Sequence, residues 1–150
     1  MSSQRVSIVD GPLAPMCEVR SFEDAGAAVT FEGIIRPLEG GRTISGLRYS
    51  AYEPMAELVL MELARDACAR FEVTSIQVEH SRGFVATEQR SFRLVVLADH
   101  RRAALDATDW FINQMKRVVP IWKAPEYAAD RDPSNDSSAE RPDSMAEALP

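Results

Sequence analysis

The chain has 150 residues, 45% of them hydrophobic, and a formal net charge of −6. That length can bury one sizeable core and leaves little for a second, so a single domain is expected. Residues 124–150 hold seven Asp or Glu against two Arg, which leaves −1 for residues 1–123; so nearly neutral a body excludes general nucleic-acid binding, which needs a clustered basic excess.

The first ten residues, MSSQRVSIVD, show neither an apolar h-region nor a small-residue cleavage site, so a cytoplasmic location is expected. The longest unbroken apolar stretches, 94–98 and 118–122, have five residues each, far short of the roughly 20 that cross a bilayer. No membrane span is expected. Residues 28–36 alternate, with Val29, Phe31, Gly33 and Ile35 on one face, which predicts a strand. The Pro and Gly-Gly of 37–42 then predict a turn before a second strand over 43–52. Pro54 suits a first helical turn, and Met55, Leu58, Met61, Ala64, Cys68 and Phe71 follow at three- and four-residue spacings, the pattern of an amphipathic helix. Residues 73–79 and 91–98 are β-rich, with a linking stretch beginning at Gly83. Asp99 is placed to cap a helix burying Ala104, Leu105, Thr108, Phe111, Ile112 and Met115, which Pro120 stops. This order, β, β, α, β, β, α, predicts an α+β domain over residues 1–123. Residues 124–150 are rich in Ala, Ser, Asp and Pro without a period and predict an acidic, flexible tail.

No Gly-rich phosphate loop, GxSxG elbow or dinucleotide fingerprint occurs, so no cofactor is expected. Cys17 and Cys68 are too far apart for a CxxC pattern, and His80 and His100 are the only histidines, so neither a metal site nor a disulfide framework is expected. Cys68 reads as a small buried hydrophobe and His80 as a satisfied strand histidine.

Lysine usage is more informative. Of seventeen basic residues fifteen are Arg, and the two lysines, Lys116 and Lys123, bracket the segment Arg-Val-Val-Pro-Ile-Trp. A guanidinium stays protonated, whereas an amine can give up its proton where its surroundings disfavour charge and then attack a carbonyl or act as a base. The bland alternative is an arginine-biased composition that left two lysines by chance, Lys116 complementing a helix C-terminus and Lys123 solvated beyond it. A second constellation, Asp99-His100-Arg101-Arg102, falls at a strand-to-helix junction, where free backbone N–H groups and a partial positive charge suit an anion. His100 and Arg101 could hold a phosphate there, or the arginines could simply be solvated. Arg36 could reach a site from the end of the first predicted strand.

These residues resemble the large subunit of molybdopterin synthase. The resemblance is carried by GAAVTFEGIIR at 26–36, by 47–57, by Asp99-His100-Arg101 and by KRVVPIWK at 116–123, and it covers about residues 5–127. It implies an α/β-hammerhead-like α+β fold with a small additional β subdomain. It also implies a homodimer within a heterotetramer whose small ubiquitin-like, β-grasp subunit delivers sulfur from a C-terminal Gly-Gly thiocarboxylate. The implied substrate is cyclic pyranopterin monophosphate and the implied product molybdopterin, in molybdenum cofactor biosynthesis. Carried over by position, Lys116 would sit beside the thiocarboxylate carbon and Lys123 would act in acid–base chemistry or substrate binding. Arg36, His100 and Arg101 would bind the phosphate, and Phe31 would line the pocket. The chain departs from the family pattern at Ile34 and Ile35, where a basic residue is common, and at Ala124 and Pro125, where Lys or Arg and then Glu are common. Those departures keep a non-catalytic module that binds a β-grasp protein as the alternative.

Overall fold

The structure, a computed structural model, describes residues 1–16, 21–22, 24–128 and 147–148. Its elements are β1 (Ser3–Asp10), β2 (Ala27–Ile34), β3 (Leu38–Glu39), β4 (Arg42–Ala51), α1 (Met55–Phe71), β5 (Ser75–Ala86), β6 (Arg90–Ala98), α2 (Arg101–Val118), β7 (Ile121–Tyr127) and β8 (Glu147–Ala148). The expected α+β class holds. Strands pair in the order β2-β6-β5-β4-β7-β8, with β1 parallel to β5 and β3 antiparallel to β4. β1 does not appear among the sequence expectations: its apolar residues are few, and a parallel partner more than sixty residues away holds it.

β5 joins the two parts of the molecule. Its first half pairs with β6 over residues 75–80, and residues 83–86 pair instead with β4. The change of partner occurs at Gly83, whose φ of +84° favours glycine. A link was expected here; the chain bends without leaving the strand, because β4 takes over the hydrogen bonding. β3, β4, the end of β5, β7 and β8 thus form an additional β layer beside the helix-covered sheet.

The two helices pack on each other, α1 also on β1 and α2 on β2 and β6. Fully buried Leu60, Ala64, Ala67, Ala104, Ala107 and Phe111 join Ile76, Val78, Leu94 and Val96 in one core. Leu63 and Cys68 are buried with them, as expected for Cys68, and small alanines let the helices approach the sheet closely. The helix faces match expectation in part: Ala64 and Cys68 of α1 and Ala104, Thr108, Phe111 and Met115 of α2 are buried as expected. α1 buries Ala56, Leu60, Leu63, Ala64, Ala67 and Cys68 and leaves Met55 and Leu58 exposed, and α2 buries Ala107 and exposes Leu105. The differences fall where an alanine is buried and a larger apolar residue is not, because small side chains pack closely against neighbouring elements. The N-cap of α2 is His100 instead of Asp99, and it makes no side-chain capping bond.

β7 corrects the expected tail boundary. It runs to Tyr127, with Tyr49 opposite Lys123 and Leu47 opposite Pro125, so residues 124–127 belong to the folded layer. Pairing along the ten-residue β4 overrides the weak β propensity of Ala-Pro-Glu. Residues 147–148 pair with Trp122 and Lys123; the expectation for residues 129–146 and for Cys17 lies outside the described residues. Among those described, no helix is long and apolar enough to cross a membrane, and no group of His, Cys, Asp or Glu could hold a metal ion.

Candidate active site

α2 leaves β6 beyond Ala98 and runs back along the sheet, touching β2 and β6. Its last turn, with Lys116, therefore returns to the end where β6 begins and β2 finishes. Lys116 is exposed there, one turn before Val119, whose N–H donates to the Met115 carbonyl and closes the helix. Pro120 then releases the chain into β7, and the Pro120 carbonyl accepts from the Tyr52 N–H, fixing the junction to the end of β4.

Lys123 sits three residues into β7 on the face shared with buried Ile121 and with Tyr127. Its side chain is only 12% exposed, and its Nζ lies 3.4 Å from Glu39 Oε1. Its cross-strand partner Tyr49 is buried, and its phenol donates at 3.0 Å to the Ser91 hydroxyl at the start of β6. Burial pushes the Tyr49 phenol up from its ordinary value, the Ser91 hydrogen bond opposes this, and the Glu39 charge adds to the rise. Glu39 was not among the expected site residues. Its signal in the sequence is the Gly-Gly that follows it, which fixes a tight hairpin, but its partner across the layer is set only by the fold.

Arg36 is exposed just after β2, next to buried Ile35, whose backbone bonds Gln89 and Glu88 in the β5–β6 turn. It lies at the same end as Lys116 and Lys123. Phe31 is half-exposed on β2, its ring centroid 6.0 Å from that of Phe92. Of the two departures at 34–35, Ile34 is 48% exposed and Ile35 is part of the core.

His100 and Arg101 are both exposed at the other end of α2. No acidic residue occupies the first turn and no side chain caps it, so its free N–H groups and partial positive charge are unopposed within that turn. Arg102 is drawn aside by Asp106 at 3.0 Å, while Arg101 has no acidic partner among the described residues. Gly26 holds this junction against β2: a Cβ there would lie 2.2 Å from the Asp99 carbonyl oxygen. Fifteen residues of helix separate Arg101 from Lys116, about 22 Å along the axis. The expected residues therefore form two groups in one chain: Arg36, Lys116 and Lys123 at one end, with Phe31 along β2 between the ends, and His100 and Arg101 at the other.

His80 departs from its expected satisfied state. It is fully buried between Tyr49 and Phe92, with ring centroids 5.2 and 5.8 Å away. Its Nδ1 donates to the Ser81 carbonyl at 2.6 Å, while Nε2 has no partner among the described residues. Burial pulls its pKa down to about 4, so the ring is neutral at pH 7 and serves packing.

Comparison with known proteins supplies a family. The profile of the MoaE protein family matches residues 10–118, which include Arg36, His100, Arg101 and Lys116. The molybdopterin synthase catalytic subunit of Bacillus subtilis is 31% identical over 122 residues, 80% of this chain and 78% of that protein. The protein of the same name from Arabidopsis thaliana is 37% identical over 107 residues, 71% of this chain; the match spans 54% of that longer relative. Among solved structures, the complex of subunits 1 and 2 of molybdopterin-converting factor from Helicobacter pylori matches with a TM-score of 0.64 and 27% identity, covering 84% of this chain and 91% of that one.

Proposed function

The chain belongs to the MoaE protein family, and from that premise we propose that it is the catalytic subunit of a molybdopterin synthase, a sulfur-transfer enzyme working with a small partner subunit. In this reading the partner is a β-grasp protein ending in a Gly-Gly thiocarboxylate, and the substrate is cyclic pyranopterin monophosphate. The thiocarboxylate sulfur replaces an oxygen on the pterin side chain, water cleaves the acyl–sulfur bond and leaves the partner as a carboxylate, and two such deliveries build the dithiolene. The observation that carries the reading is the position of the chain's only two lysines on either side of the α2–β7 junction.

Lys116, exposed at the helix end, is suited to meet the thiocarboxylate carbon, and the largely buried Lys123 is suited to hold a proton or an anionic group beside it. Positive groups fixed in a partly desolvated site stabilise the negative charge that develops during acyl and sulfur transfer. Arg36 belongs with this pair, and Phe31 offers an apolar wall. His100 and Arg101 are the phosphate site, and their distance from Lys116 exceeds the length of a tricyclic pterin. The proposal therefore includes a homodimer in which the His100–Arg101 end of one protomer completes the lysine end of its partner.

Purified protein, thiocarboxylated small subunit and cyclic pyranopterin monophosphate test this together, with molybdopterin read as its fluorescent oxidation product. Lys116→Ala should abolish product. Tight binding of the small subunit without turnover, beside an active control synthase, would replace the proposal with the non-catalytic binding module that the changes at Ile34 and Ala124 allow.

A further inference from the structure

Glu39 ends β3 at a two-residue turn whose Gly40 and Gly41 have φ of +57° and +78°. Positive φ at both central positions is what so tight a hairpin needs, and glycine supplies it without strain. The turn places Glu39 opposite Arg42, and both reach across to β7. The Arg42 guanidinium lies 3.6 Å from the centroid of the Tyr127 ring, and the Glu39 carboxylate lies 3.4 Å from Lys123 Nζ. The two anchors differ in kind. One is a cation over an aromatic face that holds the hairpin down, and the other ends on an amine of the candidate site.

The Glu39–Lys123 pair is also unlike another ion pair of the same layer. Arg48 and Glu126, on the opposite face of β4 and β7, keep 55% and 39% of their side-chain exposure, whereas Lys123 and Glu39 keep 12% and 22%. Open surface pairs fix little, because water competes for both partners. A pair largely withdrawn from water constrains geometry, since releasing either charge leaves the other poorly solvated. Lys123 has a long, flexible stem, and a carboxylate held on a rigid turn is what confines its amine to one position.

We propose that Glu39 is a positioning residue for Lys123, its carboxylate pairing with Nζ so that the amine faces the anionic sulfur donor or substrate at the Lys116 end. The inference rests on the assignment of Lys123 above. Glu39 touches neither reactant and acts through the amine.

The test uses the complete synthase, with product formation followed at saturating and limiting small subunit. Glu39→Gln keeps the shape and removes the charge; kcat should fall roughly 10- to 100-fold, the loss that follows from misplacing a reacting group by about 1 Å. The KM for the small subunit should stay within about twofold, because docking is not changed. Glu39→Asp should recover part of kcat. Arg42→Ala, which loosens the same hairpin but keeps both charges of the Glu39–Lys123 pair, should lose markedly less kcat than Glu39→Gln. Equal losses in Glu39→Gln and Arg42→Ala would show that Glu39 only secures the hairpin and would overturn the inference, as would a Glu39→Gln enzyme of normal kcat. A Lys123→Ala enzyme of normal activity would instead remove the assignment beneath it.

Discussion

Arg101→Ala and Lys116→Ala place their lesions at opposite ends of one helix, about 22 Å apart by the rise of fifteen residues. If a working site takes Lys116 from one protomer and Arg101 from its partner, each homodimeric variant has two defective sites and should be inactive. A heterodimer of the two concentrates both lesions in one site and leaves the other intact. Differently tagged chains, coexpressed and purified through both tags, should then show about half the wild-type activity per dimer, and a random mixture about a quarter, as two-fold symmetry dictates. Product is read as fluorescent pterin with saturating thiocarboxylated partner. A pure heterodimer with no activity above the two parents would refute the shared site and place all the chemistry within one chain.

Lys116→Ala should leave stability within about 0.5 kcal/mol of wild type by denaturant titration, since the side chain is exposed and exposed substitutions rarely do more, while product formation is lost. Gly26→Ala should cost about 1–3 kcal/mol, as overpacking does, because its Cβ would meet the Asp99 carbonyl; kcat/KM should fall further than stability accounts for as His100 is displaced. His80 titrates near 4 in the fold against 6.5 when unfolded, so the unfolded state binds the proton first as pH drops. Its contribution to stability is intact above pH 6.5 and declines to a loss of about 3 kcal/mol as pH approaches 4. His80→Gln should flatten that part of the stability–pH curve, and an unchanged difference between the two proteins from pH 7 to 4 would contradict the assignment.

The elements legible in the sequence are those whose pattern is local. Alternation around Val29 and Phe31, the β-rich run before Asp99 and the two helices all appear where expected, with ends shifted by one or two residues and β5 longer. What escaped was set by partners distant in the chain. β1 is held by parallel pairing with β5, and β7 exists because β4 offers ten residues of backbone to a stretch that would not form a strand alone. Parts of the α1 and α2 faces differ from expectation for a related reason: Ala56, Ala67 and Ala107 carry no strong apolar signal, yet all three are buried in the core.

The same division runs through the site. A lysine pair in an arginine-rich chain is visible by inspection, and so is a basic turn at a strand-to-helix junction. Neither reveals that one helix holds the two features apart. That follows from α2 being a single unbroken rod, since Pro120 stops it only after Lys116 has been carried to the far end. Glu39 is the converse case: its neighbours announce a turn, and nothing in the sequence connects that turn to Lys123. The connection is made by β4, which pairs with β3 along one edge and with β7 along the other. The central strand thereby brings a carboxylate and an amine more than eighty residues apart to within 3.4 Å. Residues proposed to act on reactants are conspicuous by type, while one proposed to orient them is recognisable only from the pairing that brings it there.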